Sequence, residues 1–281
     1  MFKIVRKEVL AENIKLMDIE APEIAKKAQG GQFIILRPDE YGERIPLTIA
    51  DFDREKGTIT IIFQEVGKTT KALGLLEQGE YVKDFVGPLG EPSEVENYGT
   101  VICIGGGVGI APIHPIAREL KEAGNKVISI IGARCKDMLF WEEQMRLASD
   151  ELYVCTDDGT YGEKGFVTTV LNRFLQEGKM PHKVWAIGPM PMMRAVVEVT
   201  RPFNVETIVS LNPIMVDGTG MCGACRVQVG NETKFACVDG PEFDGHKVDW
   251  ELAMKRLAAF KDKEEESLMM WTKKGGGCKC R

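Results

Sequence analysis

The chain has 281 residues, enough for two or three domains with sizeable cores. Its 44% hydrophobic and 28% charged residues are ordinary for a globular protein, and a net charge of −6 argues against nucleic acid or an anionic membrane as principal partner. No apolar run reaches the length of a membrane span, and the N-terminus has neither an apolar signal core nor a small-residue cleavage site, so a cytoplasmic protein is expected.

Residues 1–98 contain short alternating segments: FKIVRKEVL, NIKLMDIEA, GQFIILRP, GTITIIFQE and EYVKDFVGPLG, punctuated by Gly30, Gly31, Asp39, Gly42 and Gly79. Period-two alternation between such breaks predicts a small antiparallel barrel. Within it, Arg44-Ile45-Pro46-Leu47-Thr48-Ile49 places a permanent cation, a fixed proline and a hydroxyl close together, a set able to hold a phosphate and the edge of an aromatic ring. Further on, Gly67-Lys68-Thr69-Thr70 opens a short predicted helix, TTKALGLL, whose N-terminus offers a second anion site. Taken singly, such an arginine is also compatible with a surface salt bridge. VGKTT at 66–70 lacks the first glycine of a phosphate-binding P-loop at the required spacing, which excludes an NTPase.

Residues 99–208 change style. Buried strands (TVICIGGG, KVISIIGA, LYVCTDDG, KVWAIGP) alternate with helical stretches (IAPIHPIARELKEAG, FWEEQMRLAS, FVTTVLNRFLQEG, PMPMMRAVVEVT), and VETIVSL adds one more strand. That alternation predicts a parallel sheet. Gly105, Gly106, Gly107 and Gly109 permit a tight turn and close backbone approach, so the following helix can set its amides on a pyrophosphate. The pattern is GGGVGIAP rather than GxGxxG, and glycines serving only helix–sheet packing are the alternative. The segments 155–159 and 187–192 fall at carboxyl ends of parallel strands, where open α/β sheets bind ligands.

Residues 209–260 hold the spacing D-x4-C-x2-C-x11-C, formed by Asp217, Cys222, Cys225 and Cys237. Plant-type [2Fe–2S] sites use C-x4-C-x2-C followed by a distant cysteine, so the pattern persists with aspartate in the first place. Gly218, Gly220, Gly223 and Ala224 would let backbone amides approach the sulfides. A zinc site on the same cysteines is the alternative, although zinc favours a second CxxC or a suitably spaced histidine, and only His246 is near. Three of the other cysteines, Cys103, Cys135 and Cys155, lie in or beside apolar runs as buried thiols, as expected in a reducing compartment. A helix is predicted over about 249–260. Residues 261–281 form a tail, mixed in charge and Gly-rich at its end; its last part, GGGCKC, is read as a flexible end, with Cys278 and Cys280 as candidates for an auxiliary metal or redox role.

RxPLT in a barrel, GGGVGIAP opening a parallel sheet and GPMPMM at a late strand end together resemble the ferredoxin–NADP reductase superfamily. The further run SLNPIMVDGTGMCGACRVQV…FACVDGPEF resembles electron-transfer subunits of dihydroorotate dehydrogenase B and, more closely, the small (alpha) subunits of the electron-bifurcating NADH-dependent reduced ferredoxin:NADP oxidoreductases. The resemblance covers about residues 1–260. It implies a β + α/β architecture: an antiparallel flavin-binding barrel, a parallel-sheet nucleotide-binding domain and a small C-terminal [2Fe–2S] domain.

The implied roles follow residue by residue. Arg44 and the segment Gly67, Lys68, Thr69 and Thr70 would bind the FAD pyrophosphate. Pro46, Leu47, Thr48 and Phe63 would line the flavin, with Leu47 and Thr48 near its N5. Gly107, Val108, Gly109, Ala111 and Pro112 would hold NAD(H), with Arg134, Asp157, Asp158, Gly188, Pro189 and Met192 along its path. Asp217, Cys222, Cys225 and Cys237 would hold the cluster. Asp157 and Asp158 would repel a 2′-phosphate, favouring NAD(H) over NADP(H), whereas Arg134 could receive one. Many superfamily members carry cysteine before the GP motif where this chain has Ile187, so no thiol is available there. The implied partner is a larger catalytic subunit with its own flavin and iron–sulfur clusters, linking the chain indirectly to ferredoxin and NADP(H). Two other readings stand beside it: the dihydroorotate-linked subunit, and a zinc-containing nucleotide-sensing module.

Overall fold

The alternating segments of the first third pair into one antiparallel sheet in the computed structural model, which describes residues 1–273 and 275. Its elements are β1 (Phe2–Ala11), β2 (Ile14–Glu20), α1 (Pro22–Ala25), β3 (Phe33–Arg37), β4 (Ile45–Asp53), β5 (Thr58–Gln64), α2 (Lys68–Gly74), β6 (Tyr81–Val82) and β7 (Asp84–Leu89). The strand order is β6-β1-β2-β5-β4-β3-β7. The two edge strands are separated in the chain by Lys83 alone, so the sheet must curl until its edges are neighbours, and a nearly closed barrel results. Met17, Ile19, Ile34, Leu36, Ile49, Ile59, Ile61 and Phe63 fill its interior.

β4 is a strand that the alternating segments do not announce. Its first half, Ile45–Thr48, pairs with β3, and its second half pairs with β5 after an irregularity between Ile49 and Asp51. Pro46 thus sits where the strand has one neighbour, and its missing N–H interrupts the ladder least.

The middle of the chain alternates as expected: β8 (Thr100–Gly106), α3 (Ile110–Glu122), β9 (Lys126–Ala133), α4 (Glu142–Leu147), β10 (Glu151–Thr156), β11 (Glu163–Lys164), α5 (Val167–Gln176), β12 (Lys183–Ile187), α6 (Met190–Thr200) and β13 (Glu206–Ser210). These strands are all parallel, in the order β11-β10-β9-β8-β12-β13. The chain winds outward from β8 in one direction and then restarts on its other side with β12. This is the reversal of strand order that opens a crevice at the carboxyl ends of the strands.

The final third adds β14 (Arg226–Val229), β15 (Glu232–Phe235), β16 (Glu242–Asp244), α7 (Trp250–Leu257) and α8 (Lys261–Lys273). β14 and β15 form a hairpin turned at Gly230, and β16 returns to the parallel sheet, antiparallel to β13 with Val209 opposite Phe243. Within the stretch read only as a tail, residues 261–273 form a helix. Lys, Glu, Leu and Met are strong helix formers, acidic residues occupy the first turn and Lys273 the last, and no glycine interrupts until Gly275. Its half-buried residues Ser267, Leu268 and Trp271 share one face, and the helix packs against α2. Cys278 and Cys280 lie outside the described residues.

Candidate functional site

Barrel and parallel sheet face each other across a cleft of about 810 Å³. From the barrel, Pro46, Leu47 and Thr48 of β4 reach it together with Phe33, Phe63 and Thr70. Thr48 is held by its pairing with Phe33, so the hydroxyl-bearing residue is presented from a strand rather than a loop.

The opposite wall is built from strand ends. β8 runs into a 3-10 turn, Gly107–Gly109, and then into α3. Gly107 has φ +55, and a side chain there would meet nothing within 4 Å, so its backbone is bare toward the cleft. Gly109 is different. A Cβ on it would lie 2.6 Å from Ile187 C and 2.8 Å from Gly188 Cα, so the turn lies directly on the end of β12. Gly106 is covered by the thioether of Met192, which also lines the cleft. These positions are a cradle whose inner surface is main chain, which suits the close approach of a pyrophosphate.

Most sequence-predicted residues meet in this cleft: Pro46, Leu47, Thr48, Phe63 and Thr70 from the flavin set, and Gly107, Val108, Gly109, Pro112, Arg134, Asp157, Gly188, Pro189 and Met192 from the nucleotide set. Others lie elsewhere. Ala111 is buried under α3 as part of the core. Asp158 accepts from the amide and hydroxyl of Thr160, at 2.9 and 2.7 Å, within its own turn, and this holds its carboxyl below the usual range. Gly67 donates its amide to Thr70 Oγ1 at 3.0 Å, Thr69 donates its hydroxyl to Glu43 at 3.1 Å, and Lys68 lies 3.9 Å from the same carboxylate. Arg44 donates from Nε to the carbonyl of Val216 at 3.1 Å, tying the barrel to the cysteine-bearing loop.

Sequence reasoning missed a third contribution to the cleft: Ser210, Leu211, Asn212 and Met215 after β13, Phe166–Thr168 at the start of α5, and Pro241 beside β16. The rule that ligands bind beyond carboxyl ends of parallel strands points to Ser210–Asn212, because VETIVSL is such a strand. Nothing local in the sequence marks Pro241, which arrives only through the antiparallel return of β16.

Beyond the cleft lies the cysteine region. Arg226 pairs with Phe235, and the ladder continues outward through the Ala236 amide, which donates to Cys225 O at 3.1 Å. Hairpin register therefore brings Cys225 and Cys237 together, with their sulfurs 3.2 Å apart, both buried and not joined as a disulfide. Burial and the adjacent Cys225 push up the Cys237 thiol, while the Gly220 amide directed at its sulfur acts the other way. Gly218, Gly220 and Gly223 all adopt positive φ, and a Cβ on Gly218 would lie 2.8 Å from Leu89 and 2.9 Å from Ile35, so the loop is pressed onto the barrel. The two cysteines share a hydrophobic cluster with Phe33, which itself lines the cleft.

Asp217 and Cys222 stand apart from this pair. Asp217 accepts from Thr219 Oγ1 at 2.7 Å and from the amides of Thr219 and Met221 at 3.1 and 3.2 Å, with the Thr219 hydroxyl foremost in holding its carboxyl below the usual range. Cys222 is exposed. Among the described residues no group of three His, Cys, Asp or Glu side chains converges closely enough to hold a metal ion. His246 Nε2 lies 2.9 Å from Val205 O and 3.5 Å from Thr200 Oγ1, so it is engaged away from the cysteines, which leaves a zinc site without its nearest histidine. The buried cysteine pair, the sulfur-directed amide and the glycine-rich loop fit an iron–sulfur cluster.

Comparison with known proteins matches two stretches of the chain. Residues 103–198 match the oxidoreductase NAD-binding domain, and residues 212–249 match the iron–sulfur cluster binding domain of dihydroorotate dehydrogenase B. The dihydroorotate dehydrogenase B (NAD(+)) electron transfer subunit homolog of Thermotoga maritima is 49% identical over 274 residues, covering 98% of this chain and 96% of that one. The dihydroorotate dehydrogenase B (NAD(+)) electron transfer subunit of Bacillus cereus is 33% identical over 251 residues, 85% of this chain and 94% of that one. Among solved structures, a chain of an NADH-dependent reduced ferredoxin-NADP oxidoreductase, described in connection with flavin-based electron bifurcation, superposes with a TM-score of 0.91 at 47% identity, covering 97% of this chain and 98% of that one.

Proposed function

Because the chain belongs to the family of dihydroorotate dehydrogenase B electron transfer subunits and their homologues, we propose that it is an oxidoreductase subunit carrying electrons between NAD(H), FAD and a [2Fe–2S] cluster. One observation carries this reading. A single cleft is walled by a barrel strand on one side and by parallel-strand ends on the other, and a buried cysteine pair lies just beyond it. FAD, NAD(H) and a [2Fe–2S] cluster, when bound, would supply the hydride and single-electron chemistry, which belongs to the cofactors.

The residues of the chain bind and orient. Leu47 and Thr48 of β4 line the cleft and would face the flavin ring, where the Thr48 hydroxyl would be available as a hydrogen-bond donor. The Gly107–Gly109 turn and the first turn of α3 hold the dinucleotide pyrophosphate through backbone amides. Ile187 and Met192 exclude water from the place where the nicotinamide meets the flavin. Asp157 lines the cleft beside Arg134, and its charge opposes a 2′-phosphate, which favours NAD(H). Cys225 and Cys237 would supply two cluster ligands, with Cys222 and Asp217 the candidates for the other two. Arg44 is fixed to Val216 and so ties the flavin-side segment to that loop.

The partner is a larger catalytic subunit with its own flavin and iron–sulfur clusters, and the overall reaction is NADH-dependent exchange between reduced ferredoxin and NADP+. What supports this reading is the likeness to the NADH-dependent reduced ferredoxin-NADP oxidoreductase chain, with a TM-score of 0.91 at 47% identity across nearly the whole chain. The dihydroorotate-linked relatives stand at 49% identity over 98% of the chain for the Thermotoga maritima homolog and 33% over 85% for the Bacillus cereus subunit.

The test is an anaerobic titration of the purified protein with NADH and separately with NADPH, followed by absorbance and electron paramagnetic resonance. Flavin bleaching by NADH in preference to NADPH, with a reduced [2Fe–2S] signal, is expected. A colourless, NADH-inert protein containing zinc would overturn the proposal.

A further inference from the structure

Away from the cleft, one half-buried acid touches all three parts of the chain. Glu242 lies on β16, five positions after Cys237, next to the cleft residue Pro241. Its Oε1 accepts from Ser93 Oγ at 2.7 Å, on the segment linking barrel to sheet. Its Oε2 accepts from the indole of Trp185 at 3.2 Å, in the middle of β12, two residues before Ile187. Ser93 and Trp185 are themselves buried.

The backbone repeats the same three-way junction. Ser93 N donates to Gly30 O at 2.9 Å, Glu91 N to Gly240 O at 2.7 Å, and Leu211 N to Pro241 O at 2.9 Å. A Cβ on Gly31, at φ +83, would lie 2.9 Å from Ser93 N and 3.1 Å from Glu242 Oε1, so the barrel backbone is pressed against the carboxylate.

Resting on the electron-transfer reading above, we infer that Glu242 is a positioning residue that fixes the cluster-bearing segment against the flavin cleft through its bonds to Ser93 and Trp185. A buried carboxylate with two donors is a directional tie between elements, because leaving either donor unpaired is costly.

The tie also titrates. Burial pushes the Glu242 carboxyl up to about 7, against the opposing pull of the Ser93 and Trp185 donors. Lys183 opposes that rise and Glu119 adds to it, while the buried Cys103 thiol also feels the carboxylate. Lys183 is engaged with Glu94 at 3.3 Å and Glu206 at 3.0 Å. Glu91, Glu94 and Asp244 share a small cavity of about 180 Å³ with Glu242. Carboxylates therefore outnumber the single lysine, and the charge on Glu242 is not neutralised when it ionises.

The experiment is rapid mixing of the full chain with its cofactors against NADH, with flavin bleaching and cluster reduction followed separately from pH 6 to 8.5. Glu242→Gln does not titrate and can span the same two partners, its amide oxygen accepting from the Trp185 indole and its amide nitrogen donating to Ser93 Oγ. Glu242→Ala removes the tie, and Trp185→Phe removes one donor. Glu242→Ala is expected to slow flavin-to-cluster transfer several-fold, because electron transfer weakens steeply with donor–acceptor separation, while NADH still bleaches the flavin at close to the native rate. Glu242→Gln is expected to transfer at the native pH 6 rate and to lose the wild-type pH dependence. Should Glu242→Ala fail to fold, Trp185→Phe carries the positioning test, with an expected slowing of the same step alone.

Native transfer rates in the variants that fold, or a Glu242→Gln profile superimposable on the wild type, would overturn the inference. A wild-type protein in which NADH bleaches no flavin and reduces no cluster would instead overturn the electron-transfer reading itself.

Discussion

Two glycines, one and three positions past the end of β8, make the same formal change, glycine to alanine, test opposite physics. Gly109 has an ordinary helical φ of −62, so alanine there is conformationally acceptable, but its methyl would press on three backbone atoms of Ile187 and Gly188. Those atoms end β12, a central strand that cannot yield as a flexible side chain would. Overpacking of this kind costs about 1–3 kcal/mol and occasionally more. The upper end is expected here, a fall in melting temperature of roughly 6–12 °C at about 2–4 °C per kcal/mol for a chain of this size. Gly107→Ala meets no atom within 4 Å and carries instead the left-handed cost of φ +55, about 1–2 kcal/mol. Its methyl also projects over the bare backbone of the cradle. Gly107→Ala should therefore retain its flavin and most of its stability while KM for NADH rises about tenfold, equivalent to ~1.4 kcal/mol. Calorimetry and steady-state reduction of an artificial acceptor by NADH separate the two. Gly109→Ala with native melting and native KM would refute the packing of turn on strand, and an unchanged KM in Gly107→Ala would refute the cradle.

Three further outcomes follow from the same geometry. Thr48→Val keeps the shape of β4 and removes a hydroxyl from the cleft; NADH-driven flavin reduction should slow about tenfold, the worth of one hydrogen bond of ~1.4 kcal/mol, with iron content unchanged, whereas equal loss of both would indicate misfolding. Asp217→Cys should retain a [2Fe–2S] cluster with a shifted paramagnetic resonance spectrum and potential, and identical spectra would remove Asp217 from the ligand set. His114 is buried, with Nδ1 lacking a partner, and its ring faces Trp141 at a centroid distance of 5.1 Å. Burial lowers its pKa, helped by Arg118 and opposed by Asp51 and the Ala50 backbone. The unfolded chain takes up this proton near pH 6.5 while the folded chain resists it, so this contribution to stability is complete above that value and declines as pH falls below it. Melting temperatures between pH 7.5 and 5.5 should fall more steeply for the wild type than for His114→Phe; Glu242 acts in the opposite sense but equally in both proteins, and parallel slopes would refute the assignment.

What could be read without coordinates was whatever a local pattern encodes. Period-two alternation marked the barrel strands, and buried runs separated by helical periods marked the parallel sheet with the glycine turn at its switch point. β4 escaped because it opens with Ile45-Pro46 directly after Arg44, where a charge and a proline mask a strand whose two halves have different neighbours. The helix at 261–273 escaped because its surface is polar nearly all round, so no apolar stripe distinguished it from a solvated tail. For the site, GGGVGIAP, RIPLT and the cysteine spacing were visible because each sits in one short segment. Ser210, Asn212, Pro241 and Glu242 were not, since their roles arise from strands far apart in sequence becoming neighbours. Asp158 shows the converse: its position next to Asp157 suggested the cleft, but the Thr160 hydroxyl, two residues on, holds it in its own turn.

The return of β16 to the edge of the parallel sheet has a mechanical consequence. A cluster carried on a tethered module would visit its flavin by swinging on a linker, and transfer would be timed by encounters. Here the segment holding Cys225 and Cys237 leaves the sheet at β13 and is stitched back into it at β16, anchored at both ends to the frame that also carries the nucleotide cradle. Donor and acceptor are thus set at a spacing fixed when the chain folds. The cluster segment also cannot be excised or exchanged as a cassette without stripping an edge strand from the sheet. Any large motion needed for electron traffic must then occur between this chain and its partner rather than within it.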